Sequence, residues 1–301
     1  MSIAGRSRTS VRAWRLAPQE TGILLFVGAL TIGAGQGAVA KYLSGEMPVP
    51  LILWWRYAVT FAVMVPIALA RNGRSVLVPE RTLLNVVRGL LLVVASIGHV
   101  FAVKGMPLAD ALAIVFVYPF IVTALAPVVL GERVRLASWI AVATGFVGVM
   151  VVIRPGFHTV DVHALMALVA GFSFAMTLLV TRRLSVGSPA TVTATWTAGT
   201  GAAVLTLALP FVWQAPTGFE VGLLVLIGAL AAAGQLGSII ACNKTDMAVL
   251  APFGYSEMIS ATVMGWIVFG DFPDAVTWTG IAIIVMSGIY IATRTRARRP
   301  A

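Results

Sequence analysis

The chain is a series of long apolar runs separated by short polar turns. Two of these runs organise the rest. One covers 108–132, LADALAIVFVYPFIVTALAPVVLGE, and the other covers 247–271, MAVLAPFGYSEMISATVMGWIVFGD. Each is interrupted near its middle by a few polar groups and ends in Gly plus an acid. Each is followed by a polar turn, a Trp seven residues after the acid (Trp139, Trp278) and another apolar run. The runs are continuous rather than alternating. They therefore predict helices, which satisfy their own backbone hydrogen bonds in lipid, and not the roughly ten-residue alternating segments of a membrane barrel.

A helix needs about 20 apolar residues to cross about 30 Å of hydrocarbon. On that measure the pattern predicts ten spans, near 20–41, 50–70, 83–104, 108–130, 134–153, 164–182, 190–213, 221–243, 247–269 and 275–293. Composition agrees with membrane residence: 59% of the 301 residues are hydrophobic and 11% are charged, against about 25% charged in a soluble domain. The first run is longer than a signal-peptide core and is read as a span. The expected fold is an all-α integral membrane protein.

The net charge of +10 would suggest nucleic acid in a soluble chain. Here the cations follow the spans instead. With the N-terminus cytoplasmic, the inner segments hold Arg6, Arg8, Arg12, Arg15, Arg71, Arg74, Arg81, Arg133, Arg135, Arg182, Arg183, Lys244, Arg294, Arg296, Arg298 and Arg299. The outer segments hold Lys41, Lys104 and Arg154. This asymmetry places both termini in the cytoplasm. Cys242 is the one cysteine, so no disulfide framework forms within the chain. Gly33, Gly35 and Gly37 lie in a membrane helix with no strand before them, so they are not a nucleotide loop. His158 and His163 make a poor metal pair. No Walker A loop and no nucleophile–base set stand out. The reading is of a non-enzyme without cofactor or metal, and no nucleic-acid partner is expected.

The chain contains an internal repeat. A shift of 139 residues carries Gly89 onto Gly228, Gly98 onto Gly237, Gly131-Glu132 onto Gly270-Asp271 and Trp139 onto Trp278. A shift of 141 carries Lys41 onto Arg182, Pro48 onto Pro189 and Trp55 onto Trp196. Each copy holds five spans, an odd number, so the second enters the membrane from the opposite side. Such inverted repeats build carriers around a site at the bilayer midplane. The expected layout is a basic tail over 1–19, a first repeat over 20–155, a linker over 156–163, a second repeat over 164–293 and a basic tail over 294–301.

Two five-span halves, each with an apolar helix ending in Gly-acid (APVVLGERV and WIVFGDFPD), resemble the drug/metabolite transporter superfamily in its EamA-like branch. Within it the chain is similar to bacterial exporters of aromatic and other neutral amino acids, the YddG type. The resemblance implies ten helices around a central cavity in the bacterial inner membrane. Spans three, four, eight and nine would form the inner core, with one and six beside them.

Tyr118 and Glu257 are mates under the 139 shift, near the middle of spans four and nine. A carboxylate at that depth faces a cavity or a partner rather than lipid. Glu257 is read either as a proton-sensitive gate or substrate contact, or as a buried acid paired with Arg56 or a hydroxyl. Tyr255 and Ser256 add polar groups beside it, and Pro119 frees a backbone carbonyl. His99 is read either as an interhelical hydrogen-bond partner or as a site group. Ser96 and Gln235 are mates on inner-core spans, and Gln36, Ser173 and Met176 lie on the flanking ones. Phe116, Phe172 and Phe174 are read mainly as packing or lipid-facing. Trp55 and Trp196 are read as interfacial anchors. Arg56 could neutralise a substrate carboxylate or snorkel to the interface. Glu132 and Asp271 end their helices, where acids are disfavoured, so a nearby cation should compensate. They are read as structural or gating.

The expected function is secondary export of small neutral metabolites by alternating access, with amino acids, including aromatic ones, as first substrates. The alternatives are a passive facilitator or channel and a broad-specificity drug or metabolite exporter. The expected partners are the substrate, the lipid bilayer and a candidate coupling proton, for a monomeric chain.

Overall fold

The computed structural model describes residues 18–76, 79–131, 134, 136–154, 161–184 and 188–296. Among them the regular structure is all helical. The first half contains α1 (Pro18–Glu46), α2 (Val49–Asn72), α3 (Thr82–Gly105), α4 (Leu108–Val115), α5 (Tyr118–Leu130) and α6 (Leu136–Ile153). The second contains α7 (Val162–Leu184), α8 (Ala190–Thr206), α9 (Leu209–Val212), α10 (Gly218–Lys244), α11 (Met247–Leu250), a 3₁₀ turn (Ala251–Tyr255), α12 (Ser256–Phe269) and α13 (Ala275–Arg296).

Among the described residues seven helical segments are long and apolar enough to cross a membrane: α1, α2, α3, the α4–α5 run, α6, α7 and α10. The other expected spans differ in their local structure. The run expected over 190–213 stops at Thr206 and restarts as the four-residue α9. Pro210 stands in the first turn of α9 and has no N–H to continue the ladder. α12 is short because the 3₁₀ turn precedes it, with Pro252 and Gly254 inside that turn. α13 carries an apolar stretch over Ala275–Ile291 and continues to Arg296, past the expected end at 293. The N-terminal tail arginines, Glu132, Arg133, Arg135 and His158 lie outside the described residues.

Helix pairing respects the repeat. α1 packs on α10 and α12, and its counterpart α7 packs on α3 and the α4–α5 run. α2 packs on α10 as α8 packs on α3. The pairs α2–α8 and α6–α13 map onto themselves. The exchange is incomplete, since α1 also packs on α3 without an equally extensive contact between α7 and α10. Lipid supplies no hydrophobic drive between helices, so close packing of small residues must do so. Gly98 of α3 lies against Met166 and Ala170 of α7, and its mate Gly237 of α10 lies against Ala29 of α1.

The Gly-acid endings have a backbone cause. Gly131 and Gly270 follow α5 and α12 with φ of 69° and 73°, the left-handed conformation that ends helices. A Cβ would be strained there, so Gly marks both positions.

Candidate functional site

Spans four and nine both break at the same place in the repeat. α4 ends at Val115, Phe116 and Val117 form a turn, and α5 starts at Tyr118. Pro119 cannot donate to the Val115 carbonyl, which ends the ladder. That carbonyl and the Val117 side chain approach Gly171 of α7 so closely that a Cβ there would lie 2.8 and 2.6 Å from them. In span nine the 3₁₀ turn runs to Tyr255 and α12 starts at Ser256.

The two breaks meet through aromatic rings. Phe116 lies 5.3 Å from Tyr118 and 5.2 Å from Tyr255, and Tyr118 meets Phe174 edge-on at 4.9 Å. Phe116 and Phe174 are thus central to a cluster, not lipid-facing, whereas Phe172 is 51% exposed. Glu257 is an electrostatic neighbour of Tyr118, and its Oε1 faces Gly33 of α1. Among the described residues it has neither an ion pair nor a hydrogen bond. The expected alternative of pairing with Arg56 or a hydroxyl is therefore not the arrangement found.

A second group lies where α1, α2, α3, α8 and α10 converge. Gln36, Arg56, Tyr57, Thr60, Thr197 and Gln235 line a cavity of about 50 Å³. Arg56 Nη1 donates to Ser96 Oγ at 3.1 Å, and Ser96 Oγ lies 2.9 Å from the Tyr57 hydroxyl. Arg56 is thereby turned inward instead of snorkelling. Thr60 Oγ1 donates to the Arg56 and Gly228 carbonyls, tying α2 to α10. Arg88 donates to Thr181 at 2.7 Å and to Thr197. His99 Nε2 lies beside Gly37, and the imidazole is an electrostatic neighbour of Arg56. The Gly33–Gly37 turn of α1 therefore adjoins both groups.

Other expected site residues sit elsewhere. Ser256 and Tyr255 line an apolar crevice of about 300 Å³ against α13, which includes the exposed Phe253, Ile259 and Trp278. The Tyr255 hydroxyl points to Gly288, and Ser256 Oγ is buried without a hydrogen-bond partner. Met176 follows Phe174 by two residues, so a helix turns it to the opposite side. Ser173 is buried in α7. Trp196 Nε1 donates to the Val76 carbonyl, in the turn that follows α2, at 2.7 Å. Trp55 is half-buried and meets Trp54 edge-on. His163 binds the Phe101 carbonyl, and no metal-ligand cluster occurs among the described residues.

At one end, charges close over the bundle. Lys41 Nζ contacts Asp271 Oδ2 at 2.5 Å and the Met106 carbonyl at 3.2 Å, above the Phe269 ring. Lys41 is the cation that compensates Asp271 at its helix end. Asp110 lies among Asp274, Arg154, Asp271 and Lys41. Arg154 binds Asp274. That bond, with the Thr277 N–H, holds the Asp274 carboxyl well below the usual carboxylate range. At the other end, Arg183 of α7 reaches the Val129 carbonyl of α5 at 2.5 Å. Sequence reasoning did not single out Lys41 as a partner, nor Asp110, Tyr57 or Thr60, and it gave Arg88 of the third span no role. The usable signal was a charged or hydroxyl side chain inside an apolar run.

Two helical runs that break at matching points of an internal repeat, near a cavity lined by polar side chains, suit passage of a solute across a membrane. The EamA-like transporter family pattern matches residues 20–154 and again 162–293. The chain belongs to the EamA-like transporter family and is a multi-pass protein of the bacterial inner membrane. It is 24% identical to an S-adenosylmethionine uptake transporter of Rickettsia felis, over 90% of this chain and 92% of that one. It is 31% identical to a riboflavin transporter of Rhizobium johnstonii, over 82% and 83%. It is 25% identical to the pseudopaline exporter CntI of Pseudomonas aeruginosa, over 91% and 96%. A solved crystal structure shares the fold with a TM-score of 0.66 at 21% identity, covering 92% of this chain and 99% of that one. These relatives make the chain a small-molecule transporter.

Proposed function

We propose that the chain is a secondary exporter of amino-acid-like metabolites, aromatic ones included, working by alternating access. Its fold is read as ten spans in two inverted halves, 20–155 and 164–293, with both termini cytoplasmic. The observation that carries this reading is the paired break of spans four and nine, where Phe116 meets both Tyr118 and Tyr255 and Tyr118 neighbours Glu257. Broken helices expose backbone groups where a cargo can use them, and opposed halves can rock about that point. In this reading Tyr118, Glu257, Gln36, Ser96, His99 and Gln235 face the path, Pro119 sets the break, and Asp271 belongs to a gate. The apolar and aromatic lining suits a ring or aliphatic side chain, and the sparse polar groups suit a zwitterion.

S-adenosylmethionine is itself an amino acid bearing an adenine ring, and a relative is named for its uptake. The riboflavin relative supports a second reading, a larger heteroaromatic cargo. Reconstituted liposomes test both with a panel of amino acids, S-adenosylmethionine and riboflavin, with and without a pH gradient. Accumulation of labelled cargo driven by unlabelled cargo on the far side marks a carrier. Flux without such counterflow marks a passive channel and overturns the proposal.

A further inference from the structure

We infer that the small cavity at Arg56 is the subsite that takes the carboxylate of the transported molecule. Arg56 presents a planar guanidinium with five N–H donors, and Ser96 Oγ is the hydrogen-bond acceptor it has found. The Tyr57 ring lies 5.2 Å away. The ion pairs among the described residues are Lys41–Asp271 and Arg154–Asp274, so no carboxylate answers Arg56. Arg88 sits in the same state, bonded to the hydroxyls of Thr181 and Thr197, and Thr197 also lines the cavity. Two guanidinium groups without a counter-ion in a membrane bundle are costly. An anion entering the cavity beside Arg56 relieves that cost.

The shape narrows the anion. About 10–15 Å³ of such space holds one water, so a cavity of about 50 Å³ holds a few atoms and not a whole metabolite. A carboxylate fits that volume and matches the guanidinium fork in two parallel hydrogen bonds. Gln36 and Gln235 supply neutral donors at the rim. The remainder of the molecule extends past the Gly33–Gly37 turn toward the aromatic cluster. Glu257 faces Gly33 there, which suits a cationic or amino group. This assignment rests on the carrier reading and adds to it the charge that the cargo must bear.

The test compares matched probes on the purified protein. L-phenylalanine is set against phenethylamine, S-adenosylmethionine against its decarboxylated form, and inorganic phosphate is added separately. The expected result is that an acid raises the thermal midpoint by about 3 °C or more while its decarboxylated partner does not. Arg56→Gln should abolish that shift, and Arg56→Lys, which keeps the charge without the fork, should retain part of it. Size-exclusion profiles check folding, and Arg56→Lys alone serves if Arg56→Gln fails to fold. Equal shifts from acid and partner, a shift indifferent to Arg56, or no shift from either acid overturns the subsite. A response to phosphate alone overturns the carboxylate assignment in favour of a phosphate group. Counterflow is scored separately: Arg56-dependent binding without counterflow sinks the carrier reading and leaves the subsite standing.

Discussion

Lys41 at the end of α1 holds Asp271, just beyond α12, through an Nζ–Oδ2 contact of 2.5 Å. The bond joins the two halves of the chain. The side chains are 15% and 31% exposed, so the pair lies between a solvated bridge and a buried one. Its residues are the repeat mates of Arg182 and Glu132.

Breaking this pair should loosen that end of the bundle. A partly shielded pair contributes on the order of 1 kcal/mol, which corresponds to about a fivefold change in the open-to-closed ratio. Lys41→Met and Asp271→Asn should each speed thiol labelling of a cysteine placed at Leu112, in a Cys242→Ser background, by about that factor. Equal labelling rates in both variants and the parent would remove the gate assignment.

Asp274 works twice at the start of α13. It binds Arg154, and its Oδ1 accepts the Thr277 N–H at 2.8 Å as a helix cap. Asparagine keeps a cap and loses the charge, whereas alanine loses both. Thermal midpoints at pH 7 should therefore fall in the order parent, Asp274→Asn, Asp274→Ala. The folded pKa is depressed, so the stabilisation is fully present above the unfolded value near 3.8 and is lost as pH falls through the lower folded value. The gap between parent and Asp274→Asn should stay constant from pH 8 to 5 and close only in stronger acid. A gap that closes near pH 6 would assign it to another group.

Gly171 lets the break in span four approach α7. A methyl there would stand 2.6 Å from Val117 Cγ1 and 2.8 Å from the Val115 carbonyl. Gly171→Ala should cost about 1–3 kcal/mol as overpacking, seen as a lowered thermal midpoint in detergent. Gly28 has open space within 4 Å of its would-be Cβ, so Gly28→Ala should leave the midpoint near that of the parent. Equal midpoints for the two variants would mean the break does not depend on this contact.

The helical membrane class was readable because apolar runs of span length have few other uses. The repeat was readable because Gly131 and Gly270 are fixed by a left-handed backbone, and Trp139 and Trp278 follow at equal spacing. The breaks at Phe116 and Tyr255 were only partly readable. Pro119 and Pro252 announce them, but a uniformly apolar run has no period to show where a helix stops. The inward turn of Arg56 was not readable, since snorkelling and a bond to Ser96 leave the same sequence. The Lys41–Asp271 pair spans 230 residues and shows only when the repeat is read as inverted. Side-chain direction around the 3₁₀ turn was also hidden. Ser256 adjoins Glu257 in sequence but lines the crevice against α13, and Tyr255 packs its ring on Phe116 while its hydroxyl points to Gly288.

Glu257 carries the last prediction. It is half-buried in the first turn of α12 and faces Gly33, with Tyr118 nearby. Among the described residues no cation neutralises it. In the proposed carrier, a carboxylate so placed exchanges a proton or meets a cationic cargo. Glu257→Gln mimics the protonated form and should lower gradient-driven transport at least tenfold. Two readouts separate the roles. If Glu257→Gln keeps counterflow and loses its response to a pH gradient, the carboxylate couples the proton. If counterflow is lost as well, with KM raised, it contacts the cargo. Gly28→Ala serves as the control, because Gly28 is exposed on the same helix with nothing within 4 Å of its would-be Cβ and should leave both readouts near the parent. Unchanged transport together with unchanged pH dependence in Glu257→Gln would sink both roles and leave the residue a buried acid of the fold.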